Sequence, residues 1–199
     1  MRSVWIVIPG QPFDKGKTRL APVLDAPSRR RFSRDCLVHV VRTARRVLAA
    51  RQIVVVSRAA EVLGLARRLG VRGLIESGRG LNTAVTEATR FAARRGAAAV
   101  LVLHADLPAI GVRDLGSMVR KTALRSGVVI APDAADEGSN ALGVHPPGKI
   151  RYRFGADSFR KHRAEARRAR ANLLVIREPG LAQDVDTPDN YRQFLAQNK

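Results

Sequence analysis

Two hydrophobic periods alternate along this chain, and that alternation constrains its fold more than any other feature. Short apolar runs rich in β-branched residues read as buried strands at 4–8, 53–56, 71–75, 98–103, 128–131, 141–145 and 172–176. Between them, apolar residues recur every three or four positions, which predicts helices at 28–50, 59–69, 82–95, 112–125, 157–171 and 187–197. In the first helix Phe32, Cys36, Leu37, Val40, Val41, Ala44 and Leu48 form one stripe with arginines between them. A continuous apolar run suits a strand covered on both faces, and a 3.6-residue period suits a helix covered on one. Pro9-Gly10 stops the first strand, and Gly70 and Gly96 stop two helices. Strands and helices in turn imply a three-layer α/β/α sandwich with a mostly parallel central sheet. The run at 97–103, seven apolar residues without a break, is expected at the sheet centre. No stretch reads as an interdomain linker and no repeat is found, so a single domain over residues 1–199 is expected.

In such sheets ligands bind beyond the carboxyl ends of the strands, which directs attention to the segments after Ile8, Leu103 and Ile176. Composition removes several alternatives. The one cysteine, Cys36, excludes an intrachain disulfide, and with only four histidines it excludes a cysteine-rich zinc site. A membrane span needs about 20 apolar residues, and the run at 4–8 is too short for a signal peptide, so a cytoplasmic protein without a membrane partner is expected. The charge is the loudest number, 36 basic minus 17 acidic residues giving +19. Such a balance suits a nucleic acid, an anionic surface or a phosphate-rich small substrate. The arginine runs at 28–32, 42–46 and 160–170 fall on predicted helices and read as solvated faces. Aromatic residues make up only 5%, so no specific nucleic-acid partner is expected.

Four segments can carry chemistry. The loop at 8–20 offers Lys15, Gly16, Lys17, Thr18 and Arg19 to phosphates. It is not a P-loop, since position 11, where the motif needs its first glycine, is Gln. His104-Ala105-Asp106-Leu107-Pro108 sets a carboxylate at the end of the most apolar strand, where magnesium finds hard oxygen ligands beside substrate phosphates; a turn or cap aspartate is the plainer alternative. Asp184-Val185-Asp186 puts two carboxylates on one side of an extended chain, where they repel unless a cation lies between them; Asp186 or Thr187 can instead cap the last helix. In Phe154-Gly155-Ala156-Asp157-Ser158, Ser158 starts a helix and His162 follows one turn later on the same face; free N–H groups there favour an anion, and an ordinary helix start is the alternative.

Taken in this order, the segments resemble the guanylyltransferases of coenzyme F420 biosynthesis, within the nucleotidyltransferase group that includes the molybdenum-cofactor guanylyltransferases. The resemblance rests on Lys17-Thr18-Arg19-Leu20-Ala21-Pro22, Gly80-Leu81-Asn82-Thr83-Ala84, Asp106-Leu107-Pro108, Gly138-Ser139-Asn140-Ala141-Leu142, Phe154-Gly155 with Ser158 and His162, and Asp184-Val185-Asp186-Thr187-Pro188. It implies transfer of GMP from GTP to 2-phospho-L-lactate, phosphoenolpyruvate or 3-phosphoglycerate, with release of pyrophosphate. It further implies Mg2+ held by Asp106, Asp186 and Asp184, triphosphate contacts from Lys17 and Arg19, and Asn82 near the base or ribose. Asn140, Gly155 and Ser158 would grip the acceptor with His162 in support. Two departures stand out. The family's Pro-x-Lys-Pro is Pro9-Gly10-Gln11-Pro12 here, leaving Lys15 or Lys17 to supply the cation, and its Gly-Thr-Asn is Gly138-Ser139-Asn140. Another NTP-dependent nucleotidyltransferase and a basic, non-catalytic nucleic-acid binder are the competing classes. A homodimer is left open.

Overall fold

The structure, a computed structural model, describes residues 3–124 and 126–197; the helix end expected at Arg125 lies outside them. Seven strands form one sheet: β1 Val4–Pro9, β2 Ile53–Ser57, β3 Arg72–Ile75, β4 Ala99–Leu103, β5 Gly127–Pro132, β6 Ser139–His145 and β7 Leu173–Val175. Their order is β3-β2-β1-β4-β6-β5-β7. All pairs are parallel except the two that β6 makes, with β4 and β5. The helices are α1 Ala26–Val47, α2 Ala60–Arg68, α3 Leu81–Ala93, α4 Val112–Leu124, α5 Ser158–Arg168, α6 Pro179–Ala182 and α7 Pro188–Gln197.

Strand alternation sorts side chains into two cores. Val4, Ile6 and Ile8 of β1 join Val40, Leu65 and Met118 from α1, α2 and α4, while Trp5 and Val7 join Val85 of α3 and Phe159 of α5. The expected three layers are therefore present. All five residues of β4 are fully buried, as its apolar run predicts. Burying each large apolar side chain contributes about 1.5–3 kcal/mol, which is what holds the central strands rigid beneath the site.

The differences from expectation are local. Helix α1 begins two residues early because the Asp25 carboxylate accepts the Ser28 N–H at 2.8 Å and Pro27 suits the first turn. Helix α6 and the short 3-10 turns at Thr18–Leu20 and Ala50–Gln52 carry no periodic signal. Strand β6 starts at Ser139 rather than at 141 and runs antiparallel. Only residues 133–138 join it to β5, too few for a parallel crossover, so it must double back. Its first residues consequently lie at the edge where β1 and β4 end.

Candidate active site

The carboxyl ends of β1, β2, β3, β4 and β5 and the amino end of β6 open onto one cleft of about 960 Å3. The loop after β1 forms one wall, and Asp106, Asp184 and Asp186 lie together in it. The three carboxylates each offer an oxygen, all within 4.8 Å of one another. Asp106 comes from the end of β4, and the extended segment before α7 supplies the other two on a shared side, as the i, i+2 spacing predicts. The Val185 N–H donates to the Asp106 carbonyl at 3.4 Å and ties the two segments together.

Lys17 stands among these acids. Its Nζ lies 3.0 Å from Asp106 Oδ2 and 2.9 Å from Asp186 Oδ1, and its side chain is 5% exposed. Burial pulls the Lys17 ammonium down, but the two carboxylates outweigh it and hold its pKa above the usual value. Burial likewise pushes the Asp106 carboxyl up, and the positive charges of Lys17 and His104 carry it below its ordinary value. For Asp184, burial and the charge of Asp106 push the carboxyl up, against a hydrogen bond from Asn140. Asp106 Oδ1 is buried without a hydrogen-bond partner. A cluster of hard carboxylate oxygens with one of them unmatched is a donor set that fits Mg2+. Arg19 lines the same cleft on the loop beside Lys17.

The segment expected to grip the acceptor is only partly on the cleft wall. Gly155 faces the cleft with φ 120, a backbone conformation that favours glycine. Asn140 is buried behind the acids instead: its Nδ2 donates to the Leu181 carbonyl at 2.9 Å and lies 3.4 Å from Asp184 Oδ1. It thus positions Asp184. Ser158 is 2% exposed, and its N–H donates to the Gly155 carbonyl at 3.1 Å. His162, fully buried, accepts the Arg153 N–H at Nε2, 2.9 Å, so its Nδ1 carries the proton and donates to Ser139 Oγ at 3.0 Å. It supports the segment from below by tying the start of β6 to the strand-like stretch before Phe154.

Asn82 is placed differently from the expectation. Its Oδ1 accepts the Phe154 N–H at 2.7 Å and its Nδ2 donates to the Phe154 carbonyl at 3.0 Å. With both amide atoms engaged, it clamps the Phe154 backbone to α3 and lines a smaller pocket with Arg153 and Lys161. Its neighbours Gly80 and Leu81 face the main cleft instead. In this structure the Asn82 amide braces the Phe154 backbone.

Sequence reasoning passed over His104, Arg58 and Glu76, all of which line the cleft. His104 Nδ1 lies 4.0 Å from Asp106 Oδ1, Nε2 is buried with no partner, and the ring rests against Phe154 at 5.2 Å between centroids. Its i, i+2 relation to Asp106 was the available signal. Arg58 and Glu76 lie at the ends of β2 and β3, and only the spatial order of the strands brings them together.

Residues 4–197 match the family described as guanylyl transferase CofC like. The chain belongs to that family. A phosphoenolpyruvate guanylyltransferase of Rubrobacter xylanophilus is 38% identical over 194 residues, covering 98% of this chain and 94% of that one. A 3-phospho-D-glycerate guanylyltransferase of Colwellia psychrerythraea is 29% identical over 185 residues, covering 93% and 88%. The fold is that of CMP:2-keto-3-deoxy-manno-octonic acid synthetase, solved with CTP: TM-score 0.65, 14% identity, covering 99% of this chain and 100% of that one. This CofC-like chain is thus a nucleotidyltransferase of the guanylyl-transferring kind, with GTP as a substrate, and the non-catalytic nucleic-acid binder is set aside. Among the described residues no helix is long and apolar enough to cross a membrane.

Proposed function

We propose that this enzyme, acting as a single cytoplasmic domain, joins GMP from GTP to a three-carbon phospho acid, with phosphoenolpyruvate the first candidate, as a step of coenzyme F420 biosynthesis. The observation that carries the reading is the meeting of Asp106, Asp184, Asp186 and Lys17 at one edge of a cleft large enough for two substrates. Asp106, Asp184 and Asp186 would hold Mg2+. Bound there, Mg2+ offsets triphosphate charge and polarises the α-phosphoryl group.

The chain's own residues bind, orient and neutralise. Lys17 and Arg19 supply positive charge for the triphosphate and the departing pyrophosphate. Asn140 keeps Asp184 turned toward Asp106. Gly155, followed by the buried start of α5, lets an anionic acceptor approach backbone closely. An acceptor phosphate oxygen attacks the α-phosphorus and forms the new P–O bond. The bond from that phosphorus to the α,β-bridging oxygen breaks, and pyrophosphate leaves with its electron pair. The acceptor phosphate, with a second pKa of about 6, is already largely dianionic at neutral pH, so no protein base is needed. Catalysis is then positioning plus charge stabilisation.

The basic helices act as solvated surface, and nucleic-acid binding would be weak and lost with salt. The deciding experiment mixes the protein and Mg2+ with GTP, ATP, CTP or UTP and each of the three phospho acids, and reads products by mass spectrometry. Guanylylated phosphoenolpyruvate with stoichiometric pyrophosphate is expected; no guanylylated product from any of the acids overturns the reading.

A further inference from the structure

We infer that Glu76 selects guanine, its carboxylate accepting from the N1–H and 2-amino group of the GTP base while Arg58 holds it in place. The inference deepens the guanylyl-transfer reading and rests on it for the direction in which GTP lies. The acidic cluster sits after β4 and Lys17 after β1, so the phosphates lie over the middle of the sheet. Gly138 and Gly155 occupy the side of β5 and β6. The nucleoside is left with the ends of β1, β2 and β3, where Pro9, Val56 and Leu81 offer apolar surface for a flat ring. Glu76 is the one carboxylate that this end contributes to the cleft among the described residues.

Its setting is built for a fixed contact. The Glu76 N–H donates to the Ser57 carbonyl at 3.1 Å, continuing the β2–β3 ladder by one bond. One Arg58 nitrogen donates to Glu76 Oε1 at 2.6 Å and to the Gly78 carbonyl at 3.1 Å, and the Glu76 side chain is 10% exposed. Beyond it, Ser77 donates from both N–H and Oγ to Glu87, at 3.0 and 2.6 Å, which pins the loop to α3. This ion pair involves Oε1, and Oε2 lies outside it. An ionised carboxylate only accepts hydrogen bonds. Guanine presents two adjacent donors on its Watson–Crick edge, hypoxanthine lacks the 2-amino one, and adenine presents an acceptor at N1. A site built to bond a donor pair rejects a ligand lacking it, because the buried acceptor is left unmatched.

The test is calorimetric titration of GTP and of ITP into the full chain with Mg2+ and no phospho acid, for wild type and Glu76→Gln, with thermal melts of both. Wild type should bind GTP about ten- to hundredfold tighter than ITP, the range for one charge-assisted hydrogen bond. Glu76→Gln should bring the two affinities to within about threefold, mainly by weakening GTP. Should the Gln variant melt before it can be titrated, Glu76→Asp, which keeps the charge and withdraws it by one methylene, should narrow the same ratio. An unchanged GTP:ITP ratio in the folded variant, or no preference in wild type, overturns the assignment. Turnover of GTP with phosphoenolpyruvate by wild type separates the two claims. Product formation with an unmoved ratio sinks only the Glu76 role, and a ratio that collapses without any product from wild type sinks only the transfer reading.

Discussion

Lys17 Nζ lies 3.0 Å from Asp106 Oδ2, joining the loop after β1 to the end of β4 across 89 residues of sequence. The lysine reaches that position from a left-handed backbone, φ 58 and ψ 32. For a residue with a Cβ, that costs on the order of 1 kcal/mol. The Lys17 carbonyl accepts the Leu20 N–H at 3.0 Å, and the side chain is held between Asp106 and Asp186.

Replacing that charge separates its two roles. Lys17→Met keeps the stem and leaves the acids without their cation. Mn2+ binding measured by electron paramagnetic resonance, without nucleotide, should tighten, because Lys17 no longer competes for Asp106 and Asp186. The KM for GTP should rise about tenfold or more, as expected for loss of a charge-assisted contact, with the acceptor KM little moved. Equal changes in both KM values would shift the triphosphate role to Lys15 or Arg19.

Asp106→Asn removes one charge and preserves shape. Turnover should fall by about 10²-fold or more if this carboxylate holds the metal, with the melting temperature within a few degrees. Asp186→Asn should behave alike. Near-normal turnover of Asp106→Asn at limiting Mg2+ would remove it from the metal site.

Ser158→Ala tests the acceptor side. Ser158 is buried and follows Gly155 at the start of α5, so its effect on the acceptor passes through the backbone of that turn: the KM for the phospho acid should rise severalfold and that for GTP stay nearly unchanged. A lower melting point of about 1 kcal/mol equivalent, with both KM values intact, would make Ser158 a purely structural start to α5.

His162 predicts a pH effect on stability. Burial, helped by the charge of His104 and opposed by Glu165, pushes its pKa down from 6.5 to about 4. The unfolded chain therefore takes up a proton near pH 6.5 that the folded chain refuses until about pH 4. Stability should be flat in this respect above 6.5 and fall as pH drops from there toward 4, by up to about 1.4 kcal/mol per pH unit. His162→Gln, which does not titrate, should melt at a lower temperature at pH 7 yet show a shallower loss between pH 6.5 and 4. Parallel melting curves against pH would refute this.

What was legible in the sequence followed from local pattern. The apolar run before His104 marks the central strand, and its carboxyl end locates Asp106 without further information. Asp184 and Asp186 declare a shared side through their spacing. An amide in a polar motif looks the same whether it meets ligand or backbone, so the bracing bonds of Asn82 and Asn140 are not foreseeable from sequence. Their bonds to Phe154 and to Leu181 and Asp184 span 41 to 72 residues and leave no trace in local pattern. The pairing of Arg58 with Glu76 needs the neighbouring of β2 and β3 at the cleft. The reversal of β6 was readable in principle from its short link to β5.

That reversal has a consequence for how the chain is made. The outer partner of β4 is not the next strand in the sequence but the one after it, so β4 waits, five fully buried residues long, for residues 139–145. A nascent chain halted after α4 would present that apolar strand with one edge unpaired, an invitation to aggregate. A fragment cut after α4 would carry that unpaired edge. The hairpin that closes the sheet is the same one that brings Ser139 and Asn140 to the catalytic edge. Asp184 and Asp186 come later still, after β7, so the acidic cluster closes only once the sheet is complete.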